Sequence, residues 1–100
     1  MRKHGKVDSN QFEIVQALRQ SGCSVQILSS VGGGCPDLLA GRNGVNILLE
    51  CKSSPNAKLT PDEQKFFDTW KGKAVIVRDV DEALAVMNEV VGSRKRRENA

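Results

Sequence analysis

The stretch from residue 45 to residue 53, VNILLECKS, constrains the fold of this chain more than any other. Its odd positions are apolar up to Cys51, and this alternation is typical of a β-strand with one buried face. Glu50 and Lys52 occupy even positions, so their side chains share the opposite face. We therefore expect a strand that carries a carboxylate and an ammonium side by side near its carboxyl end.

A second strand-like run, CPDLLAG, lies just upstream, and the turn Arg42-Asn43-Gly44 joins the two runs as a hairpin. This pairing would bring Asp37 beside Glu50. Two carboxylates next to a lysine suit a hard divalent cation such as Mg²⁺, and the lysine could orient or deprotonate a nearby water. The alternative interpretation is a set of solvated surface charges, because such residues are common at strand ends and turns.

Read as a string, Pro36-Asp37, then twelve residues, then Glu50-Cys51-Lys52 resembles the PD-(D/E)xK nuclease signature. With the lead GGGC (residues 32–35) and the segment LTPDEQ (residues 59–64), residues 8 to 86 look like a stand-alone, phage-like VRR-NUC domain. The resemblance implies a restriction-endonuclease-like sandwich and a nuclease dependent on Mg²⁺ or Mn²⁺. It implies metal ligands at Asp37, Glu50 and the backbone carbonyl of Cys51, with Lys52 positioning the attacking water.

Two further site residues rest on the resemblance. The first helix should begin at a cap on Asp8 or Ser9 and end at Gly22, with Phe12, Ile14, Val15 and Leu18 as its apolar arc. Glu13 lies at the border of that arc and matches a family glutamate that faces the metal, behind the first ligands or on a second ion. Gln64 matches a glutamine near the active site. Without the resemblance, both would be ordinary polar residues on helix surfaces.

The remaining elements follow from periodicity and caps. Residues 24–30 predict a strand, and Val31-Gly32-Gly33-Gly34 predicts either a mobile loop beside the metal or a plain flexible connection. This glycine run lacks the Gly-Lys-Ser/Thr ending of a phosphate-binding P-loop. Thr60, Pro61 and Glu63 form a capping box for a second helix. Its aromatic residues, Phe66, Phe67 and Trp70, are expected to anchor it in the core up to Gly72, and the alternative is a platform on which nucleic-acid bases stack.

The chain ends with a strand and a helix. Residues 73–78 read as a strand in the middle of a covered sheet. Asp79 should cap a last helix that carries Val80, Leu84, Met87 and Val91 and ends at Gly92. The order α-β-β-β-α-β-α predicts an α/β sandwich, a mixed sheet of about four strands with helices on both faces.

Composition limits the classes of protein that remain. One hundred residues predict one domain, and no apolar run reaches the length of a membrane span or follows the amino terminus as a signal peptide would. The expected location is the cytoplasm, or the host cytoplasm if the chain is phage-encoded. Three cysteines without CxxC spacing indicate reduced thiols and neither a disulfide framework nor a zinc site.

Positive charge gathers at the two ends of the chain. Seven of the fifteen Lys and Arg residues lie in residues 2–6 and 94–97, while residues 7–93 carry eight positive and eleven negative side chains. We expect a basic arm at 1–8, a nuclease domain at 9–92 and a basic tail at 93–100. The tails suit salt-sensitive attraction to DNA phosphates, although tails that only aid solubility would look the same.

The expected substrate is branched or otherwise structured DNA, because the chain has no room for a base-reading module. Minimal relatives resemble Holliday junction resolvases, which act as homodimers on a two-fold symmetric junction. The apolar length of the last helix, through Met87 and Val91, would suit such an interface. The alternatives are a flap or fork repair nuclease of the same fold and a catalytically inactive DNA-binding module.

Overall fold

The computed structural model describes residues 10–99 of the chain, with side chains described through residue 90. Its elements are α1 (Gln11–Gln20), β1 (Ser24–Ile27), β2 (Leu38–Arg42), β3 (Val45–Cys51), α2 (Pro61–Thr69), β4 (Ala74–Val77) and α3 (Val80–Asn99). The strands form one sheet in the order β1-β2-β3-β4. The predicted α/β class, with a four-stranded mixed sheet flanked by helices in the order α-β-β-β-α-β-α, is confirmed.

The hairpin between β2 and β3 sets the register of the sheet. Arg42 pairs with Val45, so only Asn43 and Gly44 form the turn. Both have positive φ, 53° and 81°, as a two-residue type I′ turn requires. The three strands β1, β2 and β3 are antiparallel, and β4 runs parallel to β3. The predicted hairpin is therefore confirmed.

The hydrophobic core lies on one face of the sheet, where α1 packs on α3 and β1 and where α3 packs on β3 and β4. It is built mainly from Ile14, Val15, Leu18, Leu38, Ala40, Ile47, Leu49, Cys51, Val77, Ala83 and Met87. Paired residues of neighbouring strands point to the same face. Glu50 alternates with Leu49 and Cys51, which both belong to this core, so its side chain points to the other face of the sheet. Its partner Ile76 points to that face as well.

The first helix differs in detail from its prediction. Ile14, Val15 and Leu18 are buried as expected, but Phe12 is 69 % exposed and Gln11 is buried in its place. The Gln11 amide exchanges hydrogen bonds with the Ser29 hydroxyl at 3.2 and 3.3 Å, so a polar contact with the segment after β1 takes the position expected for an apolar one. Asn10 occupies the N-cap position without a side-chain cap, and Asp8 and Ser9 lie outside the described residues.

The prediction that α2 is a core anchor is wrong. The capping box of Thr60 and Glu63 forms as predicted, but no residue of α2 is buried. Phe66 stacks on Trp70 with ring centroids 4.9 Å apart, and Trp70 remains 49 % exposed. The aromatic side chains share one side of the helix because of their spacing. They pack on one another there and do not enter the core.

Two predictions for the carboxyl-terminal elements are also wrong. Strand β4 lies at an edge of the sheet and not in its middle, and Ala74 to Ile76 are only partly buried. Asp79 caps α3 as expected, accepting from Glu82 N at 2.8 Å, but α3 continues through Gly92 to Asn99 because a single glycine lowers helix stability without ending a helix.

Met87 is 1 % exposed and belongs to the core, so it supplies no surplus apolar surface. The side chain of Val91, the basic residues 2–6 and the side chains of residues 94–97 lie outside what the structure describes. Within residues 10–99, no helix is long and apolar enough to cross a membrane.

Candidate active site

Asp37 and Glu50 meet where β2 begins and β3 ends. Leu38 pairs with Leu49, so the next step of the antiparallel register sets Asp37 opposite Glu50, as the hairpin predicted. Asp37 is held in place from both strands beside it. Its Oδ2 accepts from Cys51 N at 2.9 Å, and its backbone oxygen accepts from Leu28 N at 2.7 Å. The Asp37 carboxylate is thus fixed at the end of the sheet.

Glu50 is a buried acid, with only 2 % of its surface exposed. Its Oε2 lies 3.3 Å from Lys52 Nζ, whereas its Oε1 is buried and has no hydrogen-bond partner among the described residues. Burial, together with the charges of Asp37 and Glu63, raises the pKa of Glu50 to about 8, and the charge of Lys52 offsets only part of this increase. The surroundings of Glu50 therefore favour either a proton or another cation.

Lys52 lies between two carboxylates. Its Nζ is 3.3 Å from Glu50 Oε2 and 3.0 Å from Glu63 Oε1. Burial lowers the pKa of Lys52, but the hydrogen bond to Glu63 and the charge of Glu50 outweigh burial and leave this pKa above its ordinary value. Lys52 therefore keeps its proton near neutral pH and presents a positive charge to the site.

Glu63 is a site residue that the sequence predicts only as part of a helix cap. Its Oε1 accepts from Thr60 N at 2.9 Å, which closes the capping box, and also from Lys52 Nζ. Burial raises the pKa of Glu63, but the hydrogen bonds from Thr60 and Lys52 outweigh burial and hold this pKa below its ordinary value. The capping box was a usable signal, since it directs the carboxylate back towards the loop that follows Lys52.

The glycine run contacts the first turn of α2. Gly34 has φ +80°, and a Cβ at this residue would lie 2.2 Å from Asp62 O. Only glycine allows this approach. Burial, then the charges of Glu50 and Asp37, raise the pKa of the next residue, Cys35, so its thiol stays neutral near the acids. The loop lies beside the carboxylates as expected, and its mobility stays a prediction.

Glu13 and Gln64 are exposed. Gln64 Nε2 donates to Asp68 Oδ1 at 2.9 Å. Their roles at the site stay predictions.

A groove of about 730 Å³ opens beside Gln64 and is lined in addition by Pro55, Asn56, Ala57, Lys58, Leu59, Ile76 and Arg78. Arg78 donates from its guanidinium to the backbone oxygens of Ser54 and Ala57, which ties the loop after Lys52 to the end of β4. Lys58 adds a second positive charge to the wall. The groove therefore has two cationic side chains, Lys58 and Arg78, in its lining.

Asp37 and Glu50 fit a divalent cation. The unpartnered, buried Oε1 of Glu50, with a second carboxylate beside it, is the kind of oxygen donor that Mg²⁺ or Mn²⁺ binds. No group of three or more His, Cys, Asp or Glu side chains within the described residues is arranged to hold a metal. An ion here would use the two carboxylates, a backbone carbonyl such as that of Cys51, and water, which agrees with the preference of Mg²⁺ for few protein ligands.

Comparison with known families identifies a match over most of the chain. The model of the family described as archaeal Holliday junction resolvase (Hjc) matches residues 2–89, which include every candidate site residue. Searches of curated proteins and of solved structures find no significant match. The match supports the PD-(D/E)xK signature, while the narrower resemblance to VRR-NUC domains stays a prediction. The chain belongs to the archaeal Holliday junction resolvase family, whose members are nucleases of the PD-(D/E)xK type.

Proposed function

We propose that the protein is a metal-dependent endonuclease that hydrolyses phosphodiester bonds in branched DNA, with the four-way junction as its main substrate. The family match supports a resolvase-like nuclease that acts on such DNA. The observation that carries the metal dependence is the buried Glu50 carboxylate, whose Oε1 has no partner among the described residues while Asp37 lies opposite. A pair of acids in this state needs a cation to be ionised together.

Asp37, Glu50 and the backbone carbonyl of Cys51 would hold Mg²⁺ or Mn²⁺. When bound, such an ion supplies Lewis-acid polarisation of a phosphate and a water of lowered pKa. Lys52 keeps its proton because its pKa is raised, so it would orient the attacking water and offset charge on the phosphate, and would not accept a proton. Glu13 and Gln64 are proposed to assist, Glu13 behind the ligands or on a second ion.

A homodimer is the proposed active form, because a four-way junction has two-fold symmetry and needs two cuts. With Met87 inside the core, the surface that supports this proposal is on α2. Its Phe66–Trp70 stack leaves Trp70 half exposed, and α2 has no buried residue. Large apolar side chains exposed in this way are typical of interfaces between copies of a chain.

The test is a cleavage assay on a four-way junction, a flap, a single strand and a linear duplex, each with and without Mg²⁺ or Mn²⁺. We expect paired cuts on opposite strands of the junction, only with metal. The matched control is E50Q, which keeps the shape of the buried side chain and removes its charge. Preference for the flap would favour a repair nuclease, and tight junction binding without cleavage in either metal would indicate an inactive binding module.

A further inference from the structure

Glu63 is connected to Lys52, the residue that follows β3, through one oxygen atom. Its Oε1 accepts from Lys52 Nζ at 3.0 Å and from Thr60 N at 2.9 Å. Lys52 directly follows β3, and Thr60 directly precedes α2. A single carboxylate oxygen therefore joins the lysine of the site to the first turn of a helix, from a residue eleven positions further along the chain.

Lys52 needs such a partner because its stem is long and flexible. A lysine ammonium can point in many directions, and fixing it costs conformational entropy that hydrogen bonds must offset. Glu50 Oε2, at 3.3 Å, is its other described ion-pair partner, and Glu50 would turn its charge to a bound cation. Glu63 would then remain as the group that holds Lys52 in the orientation that the structure shows.

The first turn of α2 is positioned well enough for this role. Gly34 approaches Asp62 O so closely that a Cβ would lie 2.2 Å from it, and Glu63 N donates back to Thr60 Oγ1 at 3.2 Å. The side chain of Glu63 is only 18 % exposed, which limits the water available to compete for its oxygen. The backbone that carries the Glu63 carboxylate thus has a well-defined position.

We propose that Glu63 is a positioning residue, which aims the Lys52 ammonium at the scissile phosphate. The proposal rests on the proposed nuclease function and adds a residue to it. Glu63 itself touches neither the metal nor the DNA in this assignment; it acts through Lys52.

Four variants separate positioning from capping. E63A removes both hydrogen bonds of Oε1. E63Q keeps an oxygen that can accept both and loses only the charge, since glutamine also serves in capping boxes. T60A removes the bond from Glu63 N to Thr60 Oγ1, and so damages the cap while leaving the contact between Lys52 and Glu63 in place. D62N removes a negative charge from the neighbouring exposed position.

Single-turnover junction cleavage and junction affinity are measured for each variant at a temperature where all are folded. We expect E63A to lower the cleavage rate on the order of tenfold to a hundredfold with affinity unchanged, because a misplaced catalytic group costs rate and not binding. E63Q should recover part of that loss, and T60A and D62N should cleave like the wild-type protein. Equal losses in E63A and T60A would overturn the proposal and leave Glu63 as a cap alone.

A second measurement does not depend on cleavage. The side-chain ammonium of Lys52 is followed by proton–nitrogen NMR, in which a held ammonium exchanges its protons slowly enough to be seen. We expect the signal in the wild-type protein, E63Q and T60A, and its loss in E63A. An unchanged signal in E63A would overturn the proposal even if the protein cuts DNA. If the wild-type protein cuts no DNA, the proposed function fails, while this measurement still decides whether Glu63 holds Lys52.

Discussion

The surroundings of Glu50 disfavour a negative charge on its carboxylate. The carboxylate is removed from water, Asp37 and Glu63 add like charge, and Lys52 is shared with Glu63. Burying an ionised carboxylate is costly unless a partner compensates it, and the usual outcome is a proton taken up or a cation bound. The two outcomes compete for the same oxygen atoms, so the pH dependence of the metal-free protein should differ from that of the metal-bound protein.

We predict that the metal-free protein loses stability as pH rises from 5 to 8. Folding raises the pKa of Glu50 from 4.5 to about 8, so the folded state binds this proton more tightly than the unfolded state does. The resulting stabilisation is complete below pH 4.5 and is lost as pH rises towards 8. We expect Tm to fall by at least about 5 °C over this range by calorimetry, and Mn²⁺ to reverse the fall at pH 8.

E50Q is the matched control for this prediction. It cannot lose a proton, so its metal-free Tm should change little between pH 5 and 8 and should not respond to Mn²⁺. A fall in Tm as large in E50Q as in the wild-type protein would assign the pH dependence to other groups.

We predict that D37N and K52A fail at different steps. The side-chain amide oxygen introduced by D37N can still accept from Cys51 N, so this variant should fold, but it should lose metal affinity and cleavage together because a charged ligand is gone. K52A should lose cleavage while it keeps most of its metal affinity. Calorimetric titration with Mn²⁺ and a junction cleavage assay separate the two effects. Equal loss of metal binding in K52A would give Lys52 a structural role.

At the scale of the elements, the hairpin could be predicted from sequence because its determinants are local. Asn43-Gly44 fixes a two-residue turn, the turn fixes the register, and the register puts Asp37 opposite Glu50. The position of Glu63 could not be predicted in the same way, because it depends on where α2 docks after a loop of irregular structure.

The wrong prediction that α2 anchors the core has a similar cause. Helical spacing shows that Phe66 and Trp70 share a side of α2, but spacing does not show what that side faces. Nor does a continuous apolar strand show whether it has one neighbour or two, since β4 at the edge has the same local pattern as a central strand.

We predict that G34A separates α2 from the site. A Cβ at Gly34 would overlap the backbone of Asp62, so the loop or the helix must move, and Glu63 moves with the helix. G33A is the matched control, because Gly33 has φ +67° and open space around its Cβ position, and it should cost only about 1 kcal/mol of backbone strain. Thermal unfolding and cleavage are measured for both. Equal cleavage by G34A and G33A would show that this approach does not position the site.

At the scale of the whole molecule, the core leaves one side of the sheet thinly covered. Helices α1 and α3 pack together over one face, whereas α2 contributes no buried residue. The candidate site residue Glu50 points to the thinly covered face, where its sheet partner Ile76 lines the groove together with Lys58 and Arg78. Because Glu63 in the first turn of α2 bonds Lys52, a second copy docked on α2 would set two candidate sites at a fixed separation.

We predict a homodimer that depends on Trp70. W70K should give a monomer by light scattering at micromolar concentration, because a charge in the centre of an apolar interface is left without a partner. F12K is the matched control, since Phe12 is even more exposed, at 69 % against 49 %, but lies on a different helix; it should remain a dimer. On a four-way junction the wild-type protein should cut both strands within one binding event, and W70K should release singly nicked junctions. A wild-type protein that is monomeric both free and on DNA would contradict the resolvase assembly and favour a repair nuclease that nicks one strand.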